Sequence, residues 1–253
     1  MLHIDLTGKV AAVTGGSGEL GRVISRTLAE CGAMVAVHFF RGRQRAETVV
    51  DEIVATCGRA VAVQADISDQ ASVMAMRDTV TAELGGADII VNAAVQRYSW
   101  TSVLEQNLAD YEGQFRTCTL HNVLVAKAFV PQMIARRWGR VIALNTEATM
   151  RCLPMESAYI SGKAGQDRVL RVLAREVGEH NITVNQVAPG WMISDKYRAK
   201  PADDAGYRQG VPMRRRGEDQ EIANAVVFLA SDLAGFISGV YLPVCGGNVM
   251  PGI

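Results

Sequence analysis

Directly after the short apolar run Val10–Val13 the chain reads Thr14-Gly15-Gly16-Ser17-Gly18-Glu19-Leu20-Gly21, and a helical pattern begins at about Leu20. Glycines here permit a tight reversal from strand to helix and let backbone N–H groups come close to a pyrophosphate. The positive end of the helix favours that anion. The spacing Gly16-x-Gly18-x-x-Gly21 is the dinucleotide fingerprint, and its place between a first strand and a first helix gives it weight that a lone glycine-rich turn lacks.

The rest of the chain continues the alternation. The β-rich runs Met34–Val37, Ala60–Val63, Ile89–Val91, Val141–Leu144, Thr183–Val187 and Tyr241–Val244 are brief and mostly apolar. Segments of helical spacing lie between them, at about 20–31, 43–57, 69–84, 108–137, 157–178 and 218–230. Strands apolar on both faces belong in a parallel sheet covered by helices on both sides. The pattern predicts an α/β, doubly wound Rossmann fold with a parallel seven-stranded sheet, residues 1–253 forming one domain. No linker, repeat or composition break divides it. The stretch at about 191–216, with Pro201, Pro212 and several charges, is predicted to be a substrate lid, with a disordered surface loop as the other reading.

Basic and acidic residues balance at 26 each, which removes the electrostatic case for nucleic acid or an anionic membrane. The basic cluster Arg214-Arg215-Arg216 reads as a solvated loop. Five cysteines, Cys31, Cys57, Cys118, Cys152 and Cys245, lie far apart, and four histidines show no ligand spacing, so neither a disulfide framework nor a metal site is expected. The segment from Met1 to Lys9 lacks the pattern of a secretion signal and no apolar run is long enough to span a membrane, so a cytoplasmic protein is expected.

The second β-run leads into Val37-His38-Phe39-Phe40-Arg41-Gly42-Arg43. An acidic residue here would bond the ribose hydroxyls of NAD and repel a 2′-phosphate. None is present, and Arg41 and Arg43 suit a phosphate. NADPH is therefore favoured, with NADH the alternative.

Further motifs follow in order: Tyr159-Ile-Ser-Gly-Lys163, then Asn185-Gln-Val-Ala-Pro189-Gly190, then Ile222–Asp232 with Gly239 and Gly246-Gly247. Together with the glycine turn they cover nearly the whole chain, which resembles the short-chain dehydrogenase/reductase family and is nearest in pattern to 3-oxoacyl-acyl-carrier-protein reductases. The resemblance implies a carbonyl reductase. Its catalytic positions fall on Tyr159, Lys163, Thr146 and Cys118. Its cofactor positions fall on Gly15, Gly16, Ser17, Gly18, Glu19, Leu20, Gly21, Phe39, Arg41, Asp66, Ile67, Asn92, Ala93, Ala94, Tyr159, Lys163, Pro189, Gly190 and Met192. A homotetramer, with a dimer as alternative, is implied by the long helices at 108–137 and 157–178.

The chemistry accounts for the spacing. Tyr159 and Lys163 share a helix face, and an ammonium beside a phenol is expected to lower its pKa, making Tyr159 a usable acid that protonates the carbonyl oxygen. Lys163 also holds the nicotinamide ribose in the family. Four positions depart from the family pattern. Thr146 stands where the family has serine, and its hydroxyl can still donate. Cys118 stands where it has a helix asparagine, and Asn122, one turn on, could supply the amide or serve packing. Asn92-Ala93-Ala94-Val95 replaces Asn-Asn-Ala-Gly. Glu19 replaces a glycine, so its carboxylate must point away from the pyrophosphate, with Gly16 and Gly18 expected to take over the close approach.

Gln96, Arg97, Ala148, Met150, Leu153, Met155, Trp191 and Met192 are expected to line the substrate side. Their apolar character suggests a ketoacyl thioester or secondary-metabolite ketone. Arg97 or Arg151 could meet an acidic group. Two other readings stay open: a scaffold or nucleotide-binding protein that kept the fold, and an NAD-linked alcohol dehydrogenase.

Overall fold

The computed structural model describes residues 3–199 and 204–252. Met1 and Leu2 of the opening segment, and Pro201 of the expected lid, therefore lie outside the described residues.

Seven strands, β1 (Val10–Thr14), β2 (Met34–Phe39), β3 (Ala60–Gln64), β4 (Ile89–Asn92), β5 (Gly139–Leu144), β6 (Ile182–Pro189) and β7 (Tyr241–Val244), form one sheet. Their order is β3-β2-β1-β4-β5-β6-β7, and every neighbouring pair is parallel. This is the predicted Rossmann architecture. Alternate residues of a strand face opposite sides, so each side needs its own apolar layer. Ala11, Val13, Val35 and Val37 pack with Ile24, Leu28 and Val226 on one side. Val10, Ala12, Ala36 and Ile90 pack with Met76, Val125 and Phe129 on the other.

Among the described residues the α-helices are α1 (Gly21–Glu30), α2 (Arg43–Ala55), α3 (Gln70–Leu84), α4 (Leu108–Gln114), α5 (His121–Arg136), α6 (Ala148–Arg151), α7 (Ser157–Val177), α8 (Asp195–Ala199), α9 (Ala205–Gly210) and α10 (Asp219–Ala230). Their ends carry local signals. The Asp69 side chain accepts the Ser72 N–H to start α3, and Gly85, at φ 92°, ends it. Glu218 and Glu221 form a capping box on α10.

The structure departs from the sequence expectation at the helix over 108–137 and at the 191–216 connection. The single helix expected over 108–137 is broken by a π-helical turn, Phe115–Leu120, between α4 and α5. The Asn122 amide donates to the Cys118 carbonyl at 2.5 Å, holding a backbone acceptor within this wide turn. The second concerns the 191–216 connection, which is neither irregular nor solvated throughout. Its described part contains α8 and α9, and Arg216, expected to be solvated, is 4% exposed. The Arg216 guanidinium lies 4.3 Å and 4.5 Å from the ring centroids of Trp191 and Tyr197, and its Nε donates to the Trp191 carbonyl at 3.0 Å. Arg214 and Arg215 are exposed as expected, Arg215 in a surface pair with Glu221 at 2.6 Å.

No disulfide joins the five cysteines. Among the described residues no helix is long and apolar enough to cross a membrane, and no group of side chains could hold a metal ion.

Candidate active site

The carboxyl ends of β1, β4, β5 and β6 meet where the strand order reverses, the place where open α/β sheets bind ligands. The glycine turn sits there. Gly16 N–H donates to the Val13 carbonyl at 3.1 Å and Gly18 N–H to the Gly15 carbonyl at 2.8 Å. Both N–H groups are therefore used inside the turn, so a close approach of a pyrophosphate at these two glycines comes from their lack of a side chain. The N–H groups of Ser17, Glu19 and Leu20 make no hydrogen bond with another described residue, and Glu19 and Leu20 line a cavity of about 370 Å³. A Cβ on Gly21 would lie 2.1 Å from the Gly15 oxygen, so this backbone closes only on glycine. A cradle of unpaired N–H groups at the start of α1 fits a dinucleotide pyrophosphate.

The Glu19 carboxylate leans sideways. It accepts the Lys196 N–H of α8 at 3.5 Å and stands 4.0 Å from Arg22. Arg22 also pairs with Asp195. Turn and α8 are thus joined by charge, and Glu19 with Lys196 forms one rim of the cavity.

Beside the turn, at the end of β2 and after β3, Phe39 and Ile67 are packed inward. Arg41 is exposed and stacks on Phe40 at 4.8 Å. Arg43 is tied to Glu47 at 3.5 Å and lies over Phe39. The Asp66 carboxyl accepts from the Ser68 hydroxyl at 2.6 Å and the Ser68 N–H at 2.9 Å, which hold it below the usual carboxylate range.

Across the cavity, α7 carries Tyr159 and Lys163, and the loop after β5 carries Thr146. Thr146, Tyr159 and Lys163 line this cavity together. Lys163, 3% exposed, donates from Nζ to the Leu144 carbonyl at 2.6 Å and to Gln166 Oε1 at 3.0 Å. Its ammonium is 5.9 Å from the Tyr159 ring centroid. The expected lowering of the phenol pKa is not what this geometry gives. Burial, reinforced by Cys118, pushes Tyr159 above its ordinary value, and burial pushes Lys163 down. The Tyr98 ring, 5.3 Å away at 12° to the Tyr159 ring, covers one face of it.

Asn145 ties this machinery together. Its Oδ1 accepts the Thr146 N–H at 2.9 Å, and its Nδ2 donates to Gln186 at 2.7 Å and to the Lys163 carbonyl at 3.2 Å. Gln186 passes on to Asp167 at 2.9 Å. Cys118 is fully buried with its thiol 3.5 Å from Gln114 Oε1, and burial raises its pKa. Asn122 makes no hydrogen bond with Lys163; it accepts from Asn92 Nδ2 at 2.7 Å while donating to the Cys118 carbonyl, contacts that serve packing. The Ala93 and Ala94 N–H groups donate to Thr14 Oγ1 at 3.1 Å and 3.3 Å, fixing the turn after β4.

Pro189, Gly190 and Met192 line the cavity as expected, but of the eight substrate-side positions Met192 alone does. Gln96 is turned toward α4, where its side chain meets Gly113 and its carbonyl accepts from Gln114. Trp191 packs edge-on to Tyr197 and Tyr207. Sequence reasoning missed Ser194, Lys196 and Tyr197, which also line the cavity. It missed Glu147 and Tyr207 as well. Tyr207 of α9 donates to Glu147 at 2.9 Å and accepts the Trp191 N–H at 2.8 Å, its phenol pushed up to about 12 chiefly by burial. No spacing in the sequence links residues so far apart.

Residues 16–248 match the family model described as enoyl-(acyl carrier protein) reductase. The 3-oxoacyl-acyl-carrier-protein reductase of Staphylococcus epidermidis is 35% identical over 254 residues, spanning 96% of this chain and 99% of that protein. The Escherichia coli (strain K12) protein of the same name is 35% identical over 258 residues, spanning 98% and 100%. Among solved structures, a 7α-hydroxysteroid dehydrogenase complexed with NADH and 7-oxo glycochenodeoxycholic acid superposes with a TM-score of 0.90 at 31% identity, covering 98% of this chain and 96% of that one. An NAD⁺-bound xylitol dehydrogenase gives 0.89 at 26% identity, covering 95% and 99%.

Proposed function

The chain belongs to the short-chain dehydrogenase/reductase family, and on that premise we propose that it is an NADPH-dependent reductase of a ketone, of the ketoacyl or secondary-metabolite kind, with Tyr159 as proton donor. The observation that carries this reading is that Thr146, Tyr159 and Lys163 line the same cavity as Glu19 and Leu20 of the glycine turn.

When bound, the nicotinamide supplies the hydride; the remaining work falls to the chain. The Glu19 and Leu20 N–H groups and the N-terminus of α1 hold the pyrophosphate. Arg41, exposed and with no acidic residue in the β2 terminus, receives the 2′-phosphate. Thr146 donates to the carbonyl oxygen, and Tyr159 transfers its O–H proton to that oxygen as the alcohol forms. A phenol kept protonated by burial is in the correct state to donate. Lys163 holds the nicotinamide ribose and provides the buried cation beside the phenolate that donation leaves.

The identity to 3-oxoacyl-acyl-carrier-protein reductases over nearly the full length supports ketone reduction. The segment 191–216, docked by Tyr207 on Glu147, acts as the substrate lid of a single domain. A cytoplasmic homotetramer completes the reading, supported by exposed Leu108, Phe115 and Val172 on α4, the π-helical turn and α7.

The test is NADPH oxidation over a panel of ketones with Tyr159→Phe as control. Turnover should fall at least about a hundredfold in the variant while NADPH affinity is kept. Unchanged turnover would overturn the assignment of Tyr159. Oxidation of NADH in preference to NADPH would overturn the role of Arg41.

A further inference from the structure

One buried side chain draws together the carboxyl ends of three strands. His38, in β2, is 2% exposed. Its Nδ1 lies 2.9 Å from the Gly15 nitrogen, beyond β1, and its Nε2 lies 3.0 Å from the Ala65 carbonyl, beyond β3. A backbone N–H only donates and a carbonyl only accepts. Satisfying both therefore requires a neutral ring with its proton on Nε2 and a lone pair on Nδ1.

Gly15 is the hinge of the phosphate-binding turn. Its φ is +65°. Its carbonyl accepts the Gly18 N–H at 2.8 Å, and Gly21 sits so close to that carbonyl that a Cβ could not fit. Rotation at Gly15 would carry Gly18 and the first residue of α1 with it, and hence the unpaired Glu19 and Leu20 N–H groups.

We propose that His38 is a positioning residue for the cofactor: by accepting the Gly15 N–H it fixes the left-handed Gly15 and aims the turn's free donors at the pyrophosphate. The proposal rests on the reading of the cavity as a nicotinamide-dinucleotide site. It also explains why a polar ring is kept at the buried end of β2, where an aliphatic residue would leave both Gly15 N–H and the Ala65 carbonyl unpaired.

The charged or titratable groups felt at this ring are Asp66, after β3, and His121, on α5. Arg41 in turn faces Asp66. Burial dominates and holds the His38 pKa below its ordinary value. The fold thus favours the neutral ring, and its contribution is complete above the ordinary histidine range. It is lost as pH falls through the depressed value. Protonation would place an Nδ1–H against the Gly15 N–H.

The test compares NADPH binding by fluorescence titration in wild type, His38→Asn, His38→Gln and His38→Phe, with Tm measured for each. The Asn Oδ1 replaces the Nδ1 acceptor, whereas the Gln amide reaches only the Nε2 position. His38→Asn should keep its Kd within about twofold, while His38→Gln and His38→Phe should raise it about tenfold. The acid-side loss of affinity should be present in wild type and absent in His38→Asn. Equal affinities in folded variants would overturn the proposal. So would ¹⁵N resonances of the ring showing the proton on Nδ1, or a Gly15 amide that exchanges as fast in wild type as in His38→Phe. A wild type that binds neither NADPH nor NADH would instead overturn the cofactor reading, and the ring and amide resonances would still decide the role of His38.

Discussion

Tyr159 and Lys163 occupy one face of α7, yet their electrostatic relation is set by what else each can bond. Lys163 finds a backbone carbonyl at the end of β5 and the Gln166 amide three residues on. With those contacts made the ammonium stays near the phenol, 5.9 Å from the ring centroid, without bonding it, and burial decides the direction of the Tyr159 shift. The Tyr-x-x-x-Lys spacing revealed the pair, because i,i+4 neighbours meet on any helix. It could not reveal the shift, which comes from burial by parts of the chain distant in sequence, reinforced by Cys118. The glycines divide in the same way. Gly21 was legible as part of the fingerprint, and its replacement gives a sharp expectation. Gly21→Ala forces a Cβ to 2.1 Å from a backbone oxygen. It should lower stability by about 2–3 kcal/mol and Tm by roughly 5–10 °C. NADPH binding should be lost in the fraction that folds, as followed by differential scanning calorimetry and fluorescence titration.

Among the elements, the interrupted helix between residues 108 and 136 is the most informative. Apolar periodicity runs through it with little disturbance, so sequence reasoning extends one helix across the whole span. The π-helical turn depends on Asn122, whose amide links the Cys118 carbonyl to the Asn92 side chain at the end of β4. An asparagine in a helix carries no mark of this until β4 is in place. Replacing Asn122 by Leu should strand two buried polar groups and destabilise the protein by about 2–3 kcal/mol, measured by urea denaturation. The NADPH Kd should change less than in Gly21→Ala, because the phosphate turn is untouched. The strands themselves were legible to within one or two residues. Their apolar runs are short, and those of the five inner strands are buried on both faces, the edge strands β3 and β7 less completely. The 191–216 connection was not legible as helical: α8 and α9 are single short helices, held by Arg216 and Tyr207 through contacts that no local pattern encodes.

At the scale of the whole molecule, the outer face built by α4, the π-helical turn and α7 exposes Leu108 (75%), Phe115 (51%) and Val172 (56%). Large side chains left open on adjacent elements mark a contact surface. If it joins copies of the chain, Phe115→Glu should shift the species seen by sedimentation velocity toward monomer while leaving the far-ultraviolet circular dichroism unchanged. An unaltered sedimentation coefficient would remove this face from the assembly. The sheet order, by contrast, follows almost directly from the alternation of strands and helices with right-handed crossovers. It also has a consequence for how the protein is made. β1 emerges early and gains β2 within a few tens of residues, but its other edge is reserved for β4. Until the ribosome has delivered Ile89 to Asn92, the nascent chain must carry an open apolar β-edge through the length of α2, β3 and α3. Parallel sheets wired in this way fold slowly and are exposed to wrong pairing while they wait. For this protein that vulnerable interval ends when the central strand closes on its late partner.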